Sequence, residues 1–185
     1  MIRHKQNKGF TVIELLVVLS IMTAITGIVL VNYRGYGANA VFANASEDLV
    51  LALREAQVYG VGVKGSTGCT AGSPFDCGYG VYFSTISSNG IIIFADNNGN
   101  SIYDAGVDNI VQKINWQPSI NITSVSCNGG ACGGNVMSVT FKRPNPSAII
   151  HDSGATSYNT GKITISDGTK TSFVQITSAG QISLQ

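Results

Sequence analysis

Phe10 to Val31 is an apolar run of 22 residues broken by one charge, Glu14. At 1.5 Å per residue, a helix of that length crosses the ~30 Å hydrocarbon core of a bilayer. A carboxylate inside such a helix is unfavourable by about 2.5–3.5 kcal/mol on insertion scales, and its presence is read as functional by default. The run therefore sets where this chain resides, and Glu14 becomes the first candidate functional residue.

The residues around the run narrow the reading. Arg3, Lys5 and Lys8 all precede it. A secretory signal peptide would supply the basic start and small-residue sites ending at Ala40 and Ala45. Its apolar stretch is normally 7–15 residues, about half of what is present, and it carries no acid. A plain transmembrane anchor would keep the three basic residues cytoplasmic and place the body outside. That reading leaves Glu14 and the abrupt Lys8-Gly9-Phe10 junction unexplained. Taking Arg3, Lys5 and Lys8 from the 11 basic residues leaves 8 against 10 acidic, a net of −2. No strongly basic surface remains for nucleic acid.

Lys8-Gly9-Phe10-Thr11-Val12-Ile13-Glu14-Leu15-Leu16 resembles the class III leader of type IV pilins and type II secretion pseudopilins. The family pattern is a short basic leader ending in Gly, then Phe, then a hydrophobic run with Glu four residues after Phe. The resemblance implies that a prepilin peptidase cuts after Gly9 and N-methylates Phe10. Residues four apart share a helix face, so the new Phe10 amine and Glu14 meet at one membrane depth. In the family, Glu14 pairs with the amine of a neighbouring subunit during assembly. A buried unpaired charge is costly, so this pairing favours one axial register.

A second helical stretch follows. Phe42, Ala45, Leu49, Ala52, Leu53 and Ala56 recur at three- and four-residue steps, with Asn44, Glu47, Asp48, Arg54 and Glu55 on other faces. The expected helix runs from Phe10 to Gly60, with Gly27 and Gly35-Tyr36-Gly37 as places for an interruption. Filament pilins often melt locally in this half near a proline, which this chain lacks.

After Gly60 the chain turns to short β-type runs. Expected strands are Tyr79–Ser84, Gly90–Ala95, Asn109–Trp116, Ile120–Ser126, Val136–Lys142, Ala148–His151, Lys162–Ser166, Phe173–Thr177 and Gln181–Leu184. Pro144 and Pro146 are expected to break the sheet. The fold class is α+β: a long N-terminal transmembrane and amphipathic helix packed on a small antiparallel, sandwich-like head. The expected divisions are a cleaved leader at 1–9, a transmembrane part at 10–31, an amphipathic continuation at 32–60 and a β-rich head at 61–185. Leu49-Val50-Leu51-Ala52-Leu53-Arg54-Glu55-Ala56, the Asp96 to Gly106 segment and the closing Ile176-Thr177-Ser178-Ala179-Gly180-Gln181-Ile182 resemble GspH/FimT-type minor subunits.

The four cysteines form two close pairs, Cys69/Cys77 and Cys127/Cys132. With an export signal, short even spacings suggest two local disulfides. Zinc is the rival reading, but the gaps are x7 and x4 and the body holds one distant histidine, His151. In the segment from Asp96 to Asp108, oxygen-bearing Asp96, Asn98 and Asn100 alternate, and Asp104 and Asp108 follow. Calcium wants six to eight such oxygens. The other reading is a turn in which Asn and Asp cap their own backbone and Gly takes positive φ. No other cofactor is expected.

No catalytic set is legible. His151-Asp152-Ser153 are adjacent in sequence, so their side chains diverge, and no phosphate loop or zinc-protease motif occurs. The expectation is a non-enzymatic structural subunit of a pilus or secretion pseudopilus. It would be held in the bacterial inner membrane by one helix with its head outside the cytoplasm. Its partners would be other pilin-like subunits, the prepilin peptidase and the inner-membrane assembly platform. The alternative is an exported binding module that captures a ligand or DNA, for which Lys142-Arg143, Lys162 and Lys170 are the available cations.

Overall fold

The structure is a computed structural model describing residues 9–62, 64–70, 73–154 and 156–185, with backbone alone at 32–36. Most of the expected leader, including Arg3, Lys5 and Lys8, lies outside the described residues. The first element is helix α1, Val12–Val61, whose backbone includes Gly27 and Gly35–Gly37. The chain divides into two compact units, Met1–Ala40 and Val41–Gln185, each described by itself.

In the second unit the C-terminal part of α1 buries the expected stripe. Phe42, Ala45, Leu49, Ala52, Leu53 and Ala56 all enter the core, and Asn44, Glu47, Asp48, Arg54 and Glu55 stay at the surface or half-buried. Asp48 at the edge of this stripe accepts the Trp116 indole N–H at 3.3 Å, tying the helix to the head. The stripe ends at Gly60. A Cβ there would lie 2.7 Å from the Phe141 carbonyl carbon and 2.8 Å from its Cβ, so only glycine lets the helix end approach the sheet this closely.

Eleven strands follow among the described residues. They are β1 (Gly78–Ser84), β2 (Gly90–Asp96), β3 (Asn109–Asn115), β4 (Asn121–Cys127), β5 (Gly130–Ala131), β6 (Val136–Lys142), β7 (Asn145–His151), β8 (Ser157–Tyr158), β9 (Thr160–Ser166), β10 (Thr171–Thr177) and β11 (Ile182–Leu184). They pair antiparallel into a six-stranded sheet, β3-β2-β1-β6-β7-β8, and a five-stranded sheet, β11-β10-β9-β4-β5. Val81, Phe83, Ile93, Met137, Val139 and Ile150 of the first sheet share one core with Ile122, Ile163, Ile165, Val174 and Ile176 of the second and with the α1 stripe. The result is the α+β arrangement of the pilin fold: an N-terminal apolar helix, then a helix packed with antiparallel sheets.

Nine strands fall where the sequence expects them, within a few residues at the ends. The two-residue edge pieces β5 and β8 are too short to show a period. One expectation needs correction. Pro144 and Pro146 do not break the sheet: Arg143 and Pro144 make the turn of the β6–β7 hairpin, and Pro146 lies near the start of β7. Lys142 pairs with Asn145 beside a β-bulge at Phe141/Lys142. A strand start and a bulge are places where a missing N–H is tolerated.

Both cysteine pairs are disulfide-bonded, Cys69 with Cys77 and Cys127 with Cys132, with Cα separations of 5.7 and 5.1 Å. Each closes a short loop, and a loop of this size contributes about 2 kcal/mol in the chain-entropy account. The first ties the segment ahead of β1 to its start. The second closes β4 onto the turn after β5.

The β2–β3 connection does more than join two strands. Phe94 projects from the outer face of the six-stranded sheet and is fully buried, as are Ser138 and Thr140 of β6. What covers them is the connection itself. The Tyr103 ring packs on Phe94 at 5.2 Å and on Tyr82 at 4.9 Å, centroid to centroid. The loop is a flap folded back over the sheet.

Candidate functional site

The N-terminal unit carries the residues of the class III resemblance. Gly9 and Phe10 precede the helix, and Phe10 is 83% exposed. Thr11 takes the N-cap position. Its carbonyl accepts the Leu15 N–H at 3.2 Å, and its hydroxyl accepts the Glu14 N–H at 3.3 Å. Glu14 therefore sits at the third helical position, in the first turn, where a negative charge meets the positive end of the helix dipole. Thr-x-x-Glu is the spacing of a capping box. Thr11 is not among the residues expected to be functional, although that four-residue pattern ahead of an apolar run is a legible signal.

Val12–Val31 has a mean hydropathy of 2.4 and none of it is buried within the chain. The polar side chains inside it are handled internally. Ser20 donates to the Val17 carbonyl at 2.8 Å, Thr23 to Ser20 and Leu19 at 2.9 and 3.0 Å, and Thr26 to Met22 at 2.7 Å. Hydroxyls bonded back to the helix carry little penalty in an apolar medium. The Glu14 carboxylate is different. It has no partner among the described residues. This span thus carries one charged side chain with no partner among the described residues, four residues after Phe10 and on a helix surface that the chain itself does not cover.

The acidic loop of the head is built differently. One Asp96 carboxylate oxygen accepts the N–H of Gly99 and Asn100 at 2.8 and 3.2 Å, and the other accepts Ser101 N–H at 2.9 Å. Asp108 accepts Asn97 N–H at 2.9 Å and Asp104 N–H at 2.8 Å. The Asn98 and Asn100 amide oxygens accept backbone N–H of Asn100 and Ile102, which directs both amide NH2 groups at Asp104, at 2.9 and 2.7 Å. Gly99 and Ser101 take positive φ, 77° and 65°. Burial pushes the Asp96 and Asp108 carboxyls above the usual range, against the hydrogen bonds that favour their charged forms. The five residues Asp96, Asn98, Asn100, Asp104 and Asp108 come together, but as a loop that caps its own backbone. Among the described residues no group of three or more His, Cys, Asp or Glu is placed to hold a metal.

His151, Asp152 and Ser153 do not form a constellation. The Asp152 carboxylate accepts the Tyr158 hydroxyl at 2.7 Å and the N–H groups of Gly154 and Gly133, and these bonds hold it below the usual carboxylate range. His151 Nδ1 is buried without a partner among the described residues, and burial lowers the ring's affinity for a proton.

Comparison with known proteins adds one finding. Residues 4–30 match the family description Prokaryotic N-terminal methylation motif. No curated protein and no solved structure matches the chain. The match covers Gly9, Phe10 and Glu14 and the exposed apolar helix, so motif and structure point to a type IV pilin-like chain, membrane-anchored and of the kind a prepilin peptidase processes.

Proposed function

We propose that this chain is a structural subunit of a type IV pilus or type II secretion pseudopilus, and within such a filament a minor subunit of GspH/FimT type. The observation that carries the reading is the Glu14 carboxylate, unpaired and four residues after Phe10, inside a methylation motif on a helix with no cover of its own. A prepilin peptidase cuts between Gly9 and Phe10 and methylates the new amine. The helix then holds the subunit in the inner membrane with the head outside, where the two disulfides form. During assembly on the inner-membrane platform, Glu14 pairs with the Phe10 amine of a neighbour and sets the register between helices. The subtype rests on the resemblance of the α1 signature, the Asp96 to Gly106 segment and the closing β-segment alone. Chemistry at a catalytic centre has no part in this role.

Mass spectrometry of the mature N-terminus from native membranes tests it. The expected chain starts at Phe10 with one added methyl, and Gly9→Arg leaves the precursor uncut. A chain starting at Val41 or Ser46 would mean signal-peptidase processing and would sink the reading.

A further inference from the structure

The outer face of the six-stranded sheet holds a cavity of about 250 Å3. Tyr82 of β1 is paired with Ile92 of β2, and Ile92 with Lys113 of β3, so these three form one row across three strands. Asn115 lies two residues along β3 on the same face. Asn89, with Ser84 and Ser87 from the β1–β2 turn region, and Tyr103, from the folded-back flap, also line it.

The polar groups here are unlike those of the flap beside them. In the flap the carboxylates of Asp96, Asp104 and Asp108 and the amides of Asn98 and Asn100 are bonded internally. In the cavity the hydroxyls of Tyr82 and Tyr103, the amides of Asn89 and Asn115 and the Lys113 ammonium make no hydrogen bond or ion pair within the described residues. No acidic residue lines the space. Five polar groups, the half-buried Tyr82 and Tyr103 and the exposed Asn89, Lys113 and Asn115, thus line one concavity whose floor includes Ile92, a combination of polar and apolar surface found in small-molecule sites.

We propose that this cavity binds one anionic monosaccharide unit. The space is smaller than the 300–1,000 Å3 or so of pockets for drug-sized ligands, and suits one ring. Each Asn amide donates and accepts, which matches neighbouring sugar hydroxyls. The two tyrosines and Ile92 offer apolar surface to the C–H faces of the ring, with the phenol hydroxyls as further partners. Lys113 supplies a single point charge for a carboxylate or phosphate. A nucleic-acid strand would need a run of cations along its backbone, and the cavity has one. This site is independent of the filament reading, since it uses only the head.

The test is calorimetric titration of the full chain in detergent micelles with glucuronate, glucose 6-phosphate, glucose and acetate. At least one anionic sugar should bind at one per chain, with glucose and acetate at least about tenfold weaker. The tighter of the two anions identifies carboxylate or phosphate as the charged group. Lys113→Met, at an exposed position, should weaken binding about tenfold or more, as for loss of a charge-assisted bond. Tyr103→Phe keeps the ring packing and should weaken it less. Melting of both variants should match the parent, which separates lost binding from lost fold. No binding of either anionic sugar at millimolar concentration would overturn the proposal. Equal binding of glucose, or affinity indifferent to Lys113→Met, would do the same.

Discussion

The backbone N–H of Tyr103 donates to the hydroxyl of Ser138 across 3.1 Å, joining the β2–β3 flap to a fully buried residue of β6. The two residues are far apart in sequence, and the bond runs over the outer face of β1, which lies between β2 and β6 in the sheet. That bond, with the Tyr103 ring on Phe94 and Tyr82, makes the flap part of the folded head.

Ser138→Ala should therefore loosen the flap. Alanine fits the space but leaves the half-buried Tyr103 N–H without an acceptor, at a cost of about 1–3 kcal/mol. For a chain of this size that is several degrees in Tm. Denaturation of the full chain in detergent measures the loss, and amide exchange should show it concentrated between Asn97 and Asp108. Exchange unchanged there would mean that the aromatic contacts alone hold the flap.

The position of the flap explains what was legible beforehand and what was not. The α1 stripe is a period of three and four, and strands such as Thr160–Ser166 alternate cleanly, so local pattern suffices for both. In β2, Ile92 and Phe94 are as apolar as Ile91 and Ile93, so alternation is lost. A strand apolar on both faces needs cover on both. The sequence carried that signal, but not which segment supplies the cover, because flap and β6 meet only through tertiary contact. The cavity lining was illegible for the same reason: Tyr82, Asn89, Tyr103 and Lys113 come from four separate segments. Gly9, Phe10 and Glu14 were readable because their relation is a fixed spacing along one short stretch of sequence.

The acidic loop gives a sharper test. Asp96 accepts three backbone N–H groups, so Asp96→Ala strands all three and should lower stability by about 3 kcal/mol or more. Calcium would need six to eight oxygens facing inward, whereas the Asn98 and Asn100 amide oxygens already face backbone N–H groups. Melting of the parent protein should therefore be the same with millimolar calcium and with a chelator. A calcium-dependent rise that disappears in Asp96→Ala would show instead that the loop rearranges around the ion.

Glu14 has the spacing of a capping box, although its carboxylate makes no bond to the Thr11 N–H, and it also holds the position of the proposed pairing group; one substitution parts the two. In a capping box Gln serves as well as Glu at the third position. Glu14→Gln should thus keep the helix start while removing the charge. If pairing with a neighbour's amine drives assembly, Glu14→Gln and Glu14→Val should both insert in the membrane and both fall in filament incorporation. Thr11→Ala removes the cap bond, for about 0.5–2 kcal/mol of helix stability, and should incorporate nearly normally. Normal incorporation of Glu14→Gln would assign the residue to capping alone.

The head's response to pH should carry opposing slopes. Burial keeps His151 from taking a proton, and the nearby Asp152 and Asp96 offset this only in part. The unfolded chain then binds that proton more readily than the folded one, so stability from this residue is complete above about pH 6.5 and falls as pH drops below it. Asp96 and Asp108 act in the other direction. Their carboxyls are raised by burial, so the folded state takes up protons first and is favoured as pH falls toward the ordinary carboxylate range of about 4. Asp76, held low by Arg143 at 2.7 Å, and Asp152, held low by Tyr158, stabilise above that range and lose their contribution below it. His151→Gln isolates the first effect. Between pH 7 and 5, within the usual histidine range of about 6.5, the parent should lose stability relative to the variant, measured by denaturant midpoint in detergent. Parallel pH profiles would show that the His151 ring reaches water and titrates as in the unfolded chain.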